Sequence, residues 1–307
     1  MRYINGLFFP FMMCALSLLP DGYAQQQVIP LYSGRVPNSK EVEMHEVIEK
    51  NWGVNTVRNV TDPSISVYLP DRRESAGSGV IIFPGGGYYV EAYEIEGTQI
   101  AEALVKHGVA AFVVRYRLPA DSTMVDKTIG PLQDAQQAIK LVRERAGSWG
   151  IEPHKIGVMG FSAGGHLAST AGTHFEKAFI PDKEGISLRP DFMVLVYPVI
   201  SMTDKLAHMG SRNLLLGEHP SDSLIDFFSG EMNVTENTPP TFLIQAEDDK
   251  TVDPDNSIGF FEALRHHNVP SELVIIPKGE HGFAARIPPE KWMQPLFSWM
   301  RDNDWMK

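Results

Sequence analysis

From residue 80 onward the chain alternates short apolar runs with longer segments of helical spacing. Val80–Phe83, Ala110–Val114 and Lys155–Met159 are too short for buried helices, so each predicts a buried strand, and Asp191–Val196, Thr241–Gln245 and Leu273–Ile276 predict further strands. Between them, Gly97–His107 carries Ile100, Ala101 and Leu104 at helical spacing and stops at Gly108. Pro131–Arg145 gathers Leu132, Ala135, Ala138, Ile139 and Val142 on one face. Further helices are predicted from Leu167 onward, over Pro254–His267 and over Pro289–Met300. Strands that are apolar throughout, alternating with helices, predict an α/β domain: a mostly parallel sheet covered on both faces.

Ahead of residue 80 the pattern weakens. Gln25–Lys50 is polar and reads as an irregular lead-in over the surface. Asn55–Val60 and Ser64–Leu69 alternate apolar and polar, and are expected to pair antiparallel around Asp62-Pro63. Ser201–Thr238 interrupts the strand–helix rhythm and reads as a helical cap insertion in a single domain, 25–307, without internal repeats.

The N-terminus changes the picture. Met1–Ala24 has a positive start at Arg2, an apolar run Leu7–Leu19 and small residues Gly22 and Ala24, the pattern of a secretory signal cleaved near Ala24. The run is too short and Pro-interrupted to span a bilayer. The expected location is therefore the bacterial periplasm or the medium, and the mature chain has no membrane span. The sole cysteine, Cys14, lies in this segment, and bulky Met13 before it argues against lipid anchoring. The mature chain would then have no disulfide and no Cys-based metal site. A net charge of −11 argues against a nucleic-acid partner. His154, His166, His174 and His208 show no metal-ligand spacing such as H-E-x-x-H, and His266 and His267 read as a solvated helix end. No metal and no cofactor are predicted.

The chemistry gathers around Gly160-Phe161-Ser162-Ala163-Gly164, a G-x-S-x-G match between a predicted strand and a predicted helix. A serine at so sharp a turn is lifted above the sheet, with the free N–H groups of a helix N-terminus beneath it. Such a nucleophile needs a base and a carboxylate to orient the base, in the chain order Ser, Asp or Glu, His. Glu247-Asp248-Asp249 follows one predicted strand, and Gly279-Glu280-His281-Gly282 follows the last. His281, between glycines just past a strand, is the candidate base, while His166, on the helix after the serine, reads as packing near the site. Asp253, ahead of Pro254, is expected to cap the following helix. Asp248 and Asp249 are not separable on local grounds. Gly85-Gly86-Gly87 after the Val80–Phe83 strand, together with the N–H of Ala163, would supply oxyanion donors. No Lys-Ser or Lys-Thr follows these glycines, which disfavours a phosphate loop.

Pro84-Gly85-Gly86-Gly87-Tyr88, Gly160-Phe161-Ser162-Ala163-Gly164-Gly165-His166-Leu167, Asp248-Asp249-Lys250-Thr251-Val252 and Gly279-Glu280-His281-Gly282-Phe283 together resemble the α/β-hydrolase fold. Within it the chain resembles acetylxylan-esterase-like bacterial esterases, akin to carboxylesterases and lipases with an HGGG motif. The likeness covers nearly all of the expected mature chain, including Ile29-Pro30-Leu31-Tyr32. It departs from the family at Pro84, where many relatives carry His, and at Val252-Asp253-Pro254, where relatives often read Val-Pro.

The resemblance implies a serine esterase acting on short acyl esters, with acetyl groups on xylan or its oligosaccharides as the family-level substrate. It makes Ser162 the nucleophile and His281 the base. Asp249 becomes the acid, because relatives place it three residues before the valine, and Gly86, Gly87 and Ala163 become the oxyanion donors. Tyr88, Tyr89 and the Ser201–Thr238 segment are candidates to line the alcohol side, with surface packing the alternative for each. The alternatives are a serine peptidase of the prolyl-oligopeptidase type, for whose usual propeller this chain has no room, and a non-catalytic carbohydrate-binding protein on the same fold. Oligomeric state is left open.

Overall fold

The computed structural model of the chain describes residues 27–182 and 184–307. The predicted signal segment with Cys14, and the cleavage expected near Ala24, lie outside those residues. The strands run β1 (Gln27–Pro30), β2 (Val47–Asn51), β3 (Val54–Arg58), β4 (Ser64–Tyr68), β5 (Gly79–Phe83), β6 (Ala110–Arg115), β7 (Ile156–Phe161), β8 (Met193–Val196), β9 (Thr241–Ala246) and β10 (Ser271–Ile276). Among the described residues, eight of them form one sheet in the order β1-β4-β6-β5-β7-β8-β9-β10. The strands from β6 to β10 in that order are parallel to one another, and β4 and β1 extend the sheet in antiparallel fashion.

The helices divide between the two faces, because consecutive strand side chains point to opposite sides. On one face Ile81 and Phe83 of β5 meet Leu132 and Ile139 of α2 (Gly130–Arg145), Leu167 of α3 (Ala163–Thr173) and Phe260 of α6 (Asp255–His266). On the other, Val80 and Ile82 meet Ile100 and Leu104 of α1 (Gln99–Lys106) and Leu296 and Met300 of α8 (Gln294–Asp302). This is the α/β-hydrolase arrangement. Between β8 and β9 lie two short helices, α4 (Met209–Leu216) and α5 (Asp222–Phe228), within an otherwise largely irregular segment 201–238. No helix among the described residues is long and apolar enough to cross a membrane.

Three expectations are corrected. The predicted pairing of Asn55–Val60 with Ser64–Leu69 does not form. Instead β3 folds back on β2 through Trp52 and Gly53, both at positive φ, a turn that suits a tight hairpin, while β4 pairs with β1 and β6. Period-two alternation is satisfied by any partner, so it cannot choose one. The lead-in is accordingly not irregular: it supplies β1, with Ile29 buried, and β2. Finally, the helix predicted over Pro289–Met300 is split into α7 (Pro289–Trp292) and α8, because Pro295 has no N–H to donate and its ring crowds the carbonyl a turn earlier.

Candidate active site

Ser162 sits between β7 and α3 with φ 51° and ψ −117°, a backbone conformation that L residues avoid. Its own backbone is held firmly: the N–H donates to Val196 O (3.1 Å), and the carbonyl accepts from His166 (3.1 Å) and Val199 (3.0 Å). A side chain on Gly164 would lie 2.1 Å from Phe83 O, so only glycine lets α3 start this close to the end of β5.

The three predicted groups meet at the carboxyl edge of the sheet. Ser162 Oγ and His281 Nε2 are 2.8 Å apart, and His281 Nδ1 and Asp249 Oδ2 are 2.7 Å apart. Asp249, 5% exposed, also accepts from Gln245 Nε2 (2.9 Å) and from the N–H groups of Thr251 (2.9 Å) and Val252 (3.0 Å). Burial alone would raise its pKa, but the hydrogen bond and charge of His281 and these backbone donors outweigh it and hold the carboxyl below its usual range. An acid that must accept from a histidine is thereby kept ionised.

Asp248 serves the same loop differently. Its Oδ1 accepts the N–H groups of Gly279 (2.9 Å) and Glu280 (2.7 Å), which pins the segment carrying His281. The neighbouring aspartates therefore divide the work: one orients the ring and the other fixes its backbone. Asp253 lies one residue further out than expected, since α6 begins at Asp255 with Pro254 in the cap position, but its Oδ1 still accepts the N–H of Asp255 at 2.9 Å.

Gly86 and Gly87 follow β5 with φ 131° and 67°. Among the described residues no acceptor takes either N–H. Ala163, as the first residue of α3, has no carbonyl a turn earlier in the helix to receive its own. Gly85, grouped with them on sequence, differs: its N–H donates to Glu96 Oε2 at 2.7 Å. Glu96 is a residue that sequence reasoning missed. It lies on a wide π-helical turn (Tyr93–Thr98) ahead of α1, and it also accepts from Tyr197 Oη at 2.8 Å. The Tyr197 ring packs edge-on against His281, with centroids 5.0 Å apart. One buried carboxyl thus ties the glycine loop to the residue supporting the histidine, and burial raises its pKa. No sequence signal marks it, since a lone Glu inside an amphipathic stretch is ordinary.

Tyr88 does not line the alcohol side as expected. It is 2% exposed, and its hydroxyl is 2.8 Å from His166 Nδ1. His166 Nε2 reaches Phe228 O at 2.8 Å. A carbonyl only accepts, so Nε2 carries the proton and the Tyr88 hydroxyl donates to Nδ1. His166 therefore joins the glycine loop to α5, and Tyr89 alone of the pair is exposed. Burial pushes the His166 imidazole from 6.5 down to about 4. Between those pH values the unfolded chain takes up a proton that the folded chain refuses, so His166 costs stability increasingly as the pH falls. The stability advantage of wild type over His166→Gln is expected to shrink by up to about 3 kcal/mol between pH 7 and pH 4. Urea midpoints across that range check it, and a difference independent of pH would refute it.

The chain is 38% identical over 241 residues to an acetylxylan esterase of Xylanibacter ruminicola, spanning 76% of this chain and 47% of that protein. It is 38% identical over 209 residues to endo-1,4-beta-xylanase B of Butyrivibrio fibrisolvens, spanning 67% of this chain and 32% of that one. The match thus spans less than half the length of either relative. Among solved structures, an acetyl ester-xyloside bifunctional hydrolase from Caldicellulosiruptor lactoaceticus superposes with a TM-score of 0.78 at 35% identity, covering 92% of this chain and 97% of that one. The BD-FAE family model matches residues 65–264, which carry the glycine loop, the serine turn and Asp249. With that match over more than half its length, the chain belongs to the BD-FAE family.

Proposed function

We propose that the protein is a serine carboxylic ester hydrolase that removes short acyl groups, acetyl above all, from xylan or its oligosaccharides. The hydrogen-bonded line Ser162–His281–Asp249, beside N–H groups that have no acceptor among the described residues, carries the reading. His281 Nε2 accepts the proton of Ser162 Oγ as that oxygen attacks the acyl carbonyl. Asp249 holds the ring in the tautomer that leaves Nε2 free and stabilises its charged form. Negative charge developing on the carbonyl oxygen meets the N–H groups of Gly86, Gly87 and Ala163. His281 then returns the proton to the departing alcohol, and water, activated by the same ring, releases the acid. The acetylxylan esterase and the acetyl ester-xyloside hydrolase among the similar proteins support the choice of acyl group and alcohol.

Acetate release from acetylated xylan, measured beside a p-nitrophenyl ester series and fluorophosphonate labelling of Ser162, tests the proposal. Labelling without acetate release would place the activity on another ester or on a peptide. Absence of labelling in the folded protein would reject the mechanism.

The oxyanion assignment has its own test. A methyl on Gly86 would strike Val90 O at 2.1 Å and break the loop, whereas one on Gly87 would meet nothing nearer than 3.9 Å. Gly87→Ala therefore strains only a positive φ and shifts its N–H. It is expected to lower kcat by about one to two orders of magnitude with a smaller effect on KM. A change confined to KM would mean that the glycine only binds substrate.

A further inference from the structure

His208 precedes α4 in the 201–238 insertion, far in sequence from the glycine loop, yet it faces that loop. A methyl on Gly87 would lie 3.9 Å from His208 Cε1 and 4.0 Å from Ser211 Oγ, so the start of α4 faces the glycine loop. The ring is fixed by its own helix. Nδ1 accepts the backbone N–H of Ser211 (3.3 Å) and lies 2.8 Å from Ser211 Oγ, capping α4. A backbone N–H can only donate, so Nδ1 is unprotonated and the proton of the neutral ring is on Nε2. Among the described residues Nε2 has no partner. Burial holds the pKa of His208 down, the charge of His281 lowers it further and Asp249 opposes. The ring is thus neutral at physiological pH and lies over the glycine loop, where a methyl on Gly85 would come within 3.0 Å of Ser162 Cβ.

We propose that His208 presents Nε2–H to the alcohol half of the ester, donating to a sugar hydroxyl or ring oxygen beside the acylated position. This rests on the esterase reading and deepens it. The carbonyl oxygen is handled by the N–H groups of the glycine loop, so a fixed donor that the insertion brings over that loop is left for the alcohol half and selects for a polyhydroxylated alcohol over a plain alkyl or aryl one.

Two substitutions separate this role from capping. His208→Asn keeps an acceptor near the Nδ1 position and so keeps the cap, but its amide does not reach the Nε2 position. His208→Gln places an amide donor near Nε2 but loses the cap. The measured quantity is kcat/KM for an acetylated xylo-oligosaccharide divided by kcat/KM for p-nitrophenyl acetate. It should fall about tenfold in His208→Asn, chiefly through KM for the oligosaccharide, the size of one lost hydrogen bond. In His208→Gln the ratio should stay within about twofold of wild type while thermal stability drops. Equal losses on both esters in His208→Asn, or no loss on either, would overturn the proposal and leave His208 a cap. A wild-type protein that hydrolyses neither ester and leaves Ser162 unlabelled would overturn the esterase reading beneath it.

Discussion

Ser162→Ala is expected to lower kcat by roughly three to six orders of magnitude on any ester that the wild type turns over, with the fold unchanged. Among the described residues the side chain hydrogen-bonds to His281 alone, while the turn itself is held by backbone bonds to Val196, His166 and Val199 that alanine preserves. The Cβ stays in place, so packing is also kept. Residual rate would come from the N–H groups of Gly86, Gly87 and Ala163, which polarise the carbonyl whether or not a nucleophile stands beneath it. Steady-state turnover of p-nitrophenyl acetate, with circular dichroism and a melting curve as controls, measures this. A folded variant with near-wild-type turnover would remove Ser162 from the mechanism.

The second large effect is expected at Asp249, where Asp249→Asn should cost up to about four orders of magnitude in kcat. The carboxylate takes hydrogen bonds from His281, Gln245, Thr251 and Val252. An amide turned toward His281 would donate to Nδ1, force the ring proton onto Nε2 and leave nothing to accept from Ser162. An amide turned the other way would set its NH2 against the N–H groups of Thr251 and Val252. Asp248→Asn is expected to be mild by comparison, since its amide oxygen can still accept from Gly279 and Glu280. A crippling Asp248→Asn beside a mild Asp249→Asn would reverse the assignment. The lowered pKa of Asp249 also predicts a stability term, because the folded chain binds the proton less readily than the unfolded one. That term is present above the ordinary aspartate range, near 3.8, and is lost as pH falls through the lower folded value. The Asp249→Asn variant should lack this acid-side loss.

Much of the fold was legible because its signals are local. Apolar runs such as Val80–Phe83 and Thr241–Ala246 have few alternatives to being buried strands, and glycines at 160 and 164 around a serine have few alternatives to a sharp turn. Chain order alone then ranked Ser162, the aspartate pair and His281 as one set. What failed was partner choice. The alternation in β3 and β4 was read correctly as extended chain, but their partners, β2 for one and β1 with β6 for the other, depend on which edges are left open once the sheet assembles.

The sequence by itself therefore determined the class of fold, the turn that strains Ser162 and the order of the candidate groups, since each depends on neighbours a few residues away. The family resemblance already pointed to Asp249 as the acid, but local sequence did not separate the two aspartates, and only the tertiary structure showed Asp248 holding the loop, since adjacent loop residues diverge in directions set by the strands around them. It likewise withdrew Gly85 from the free N–H groups, through Glu96, and brought His208 over Gly87 from more than a hundred residues along the chain. Contacts of that kind form between elements whose sequences carry no mark of each other, and packing of the helices onto the two sheet faces is what sets them.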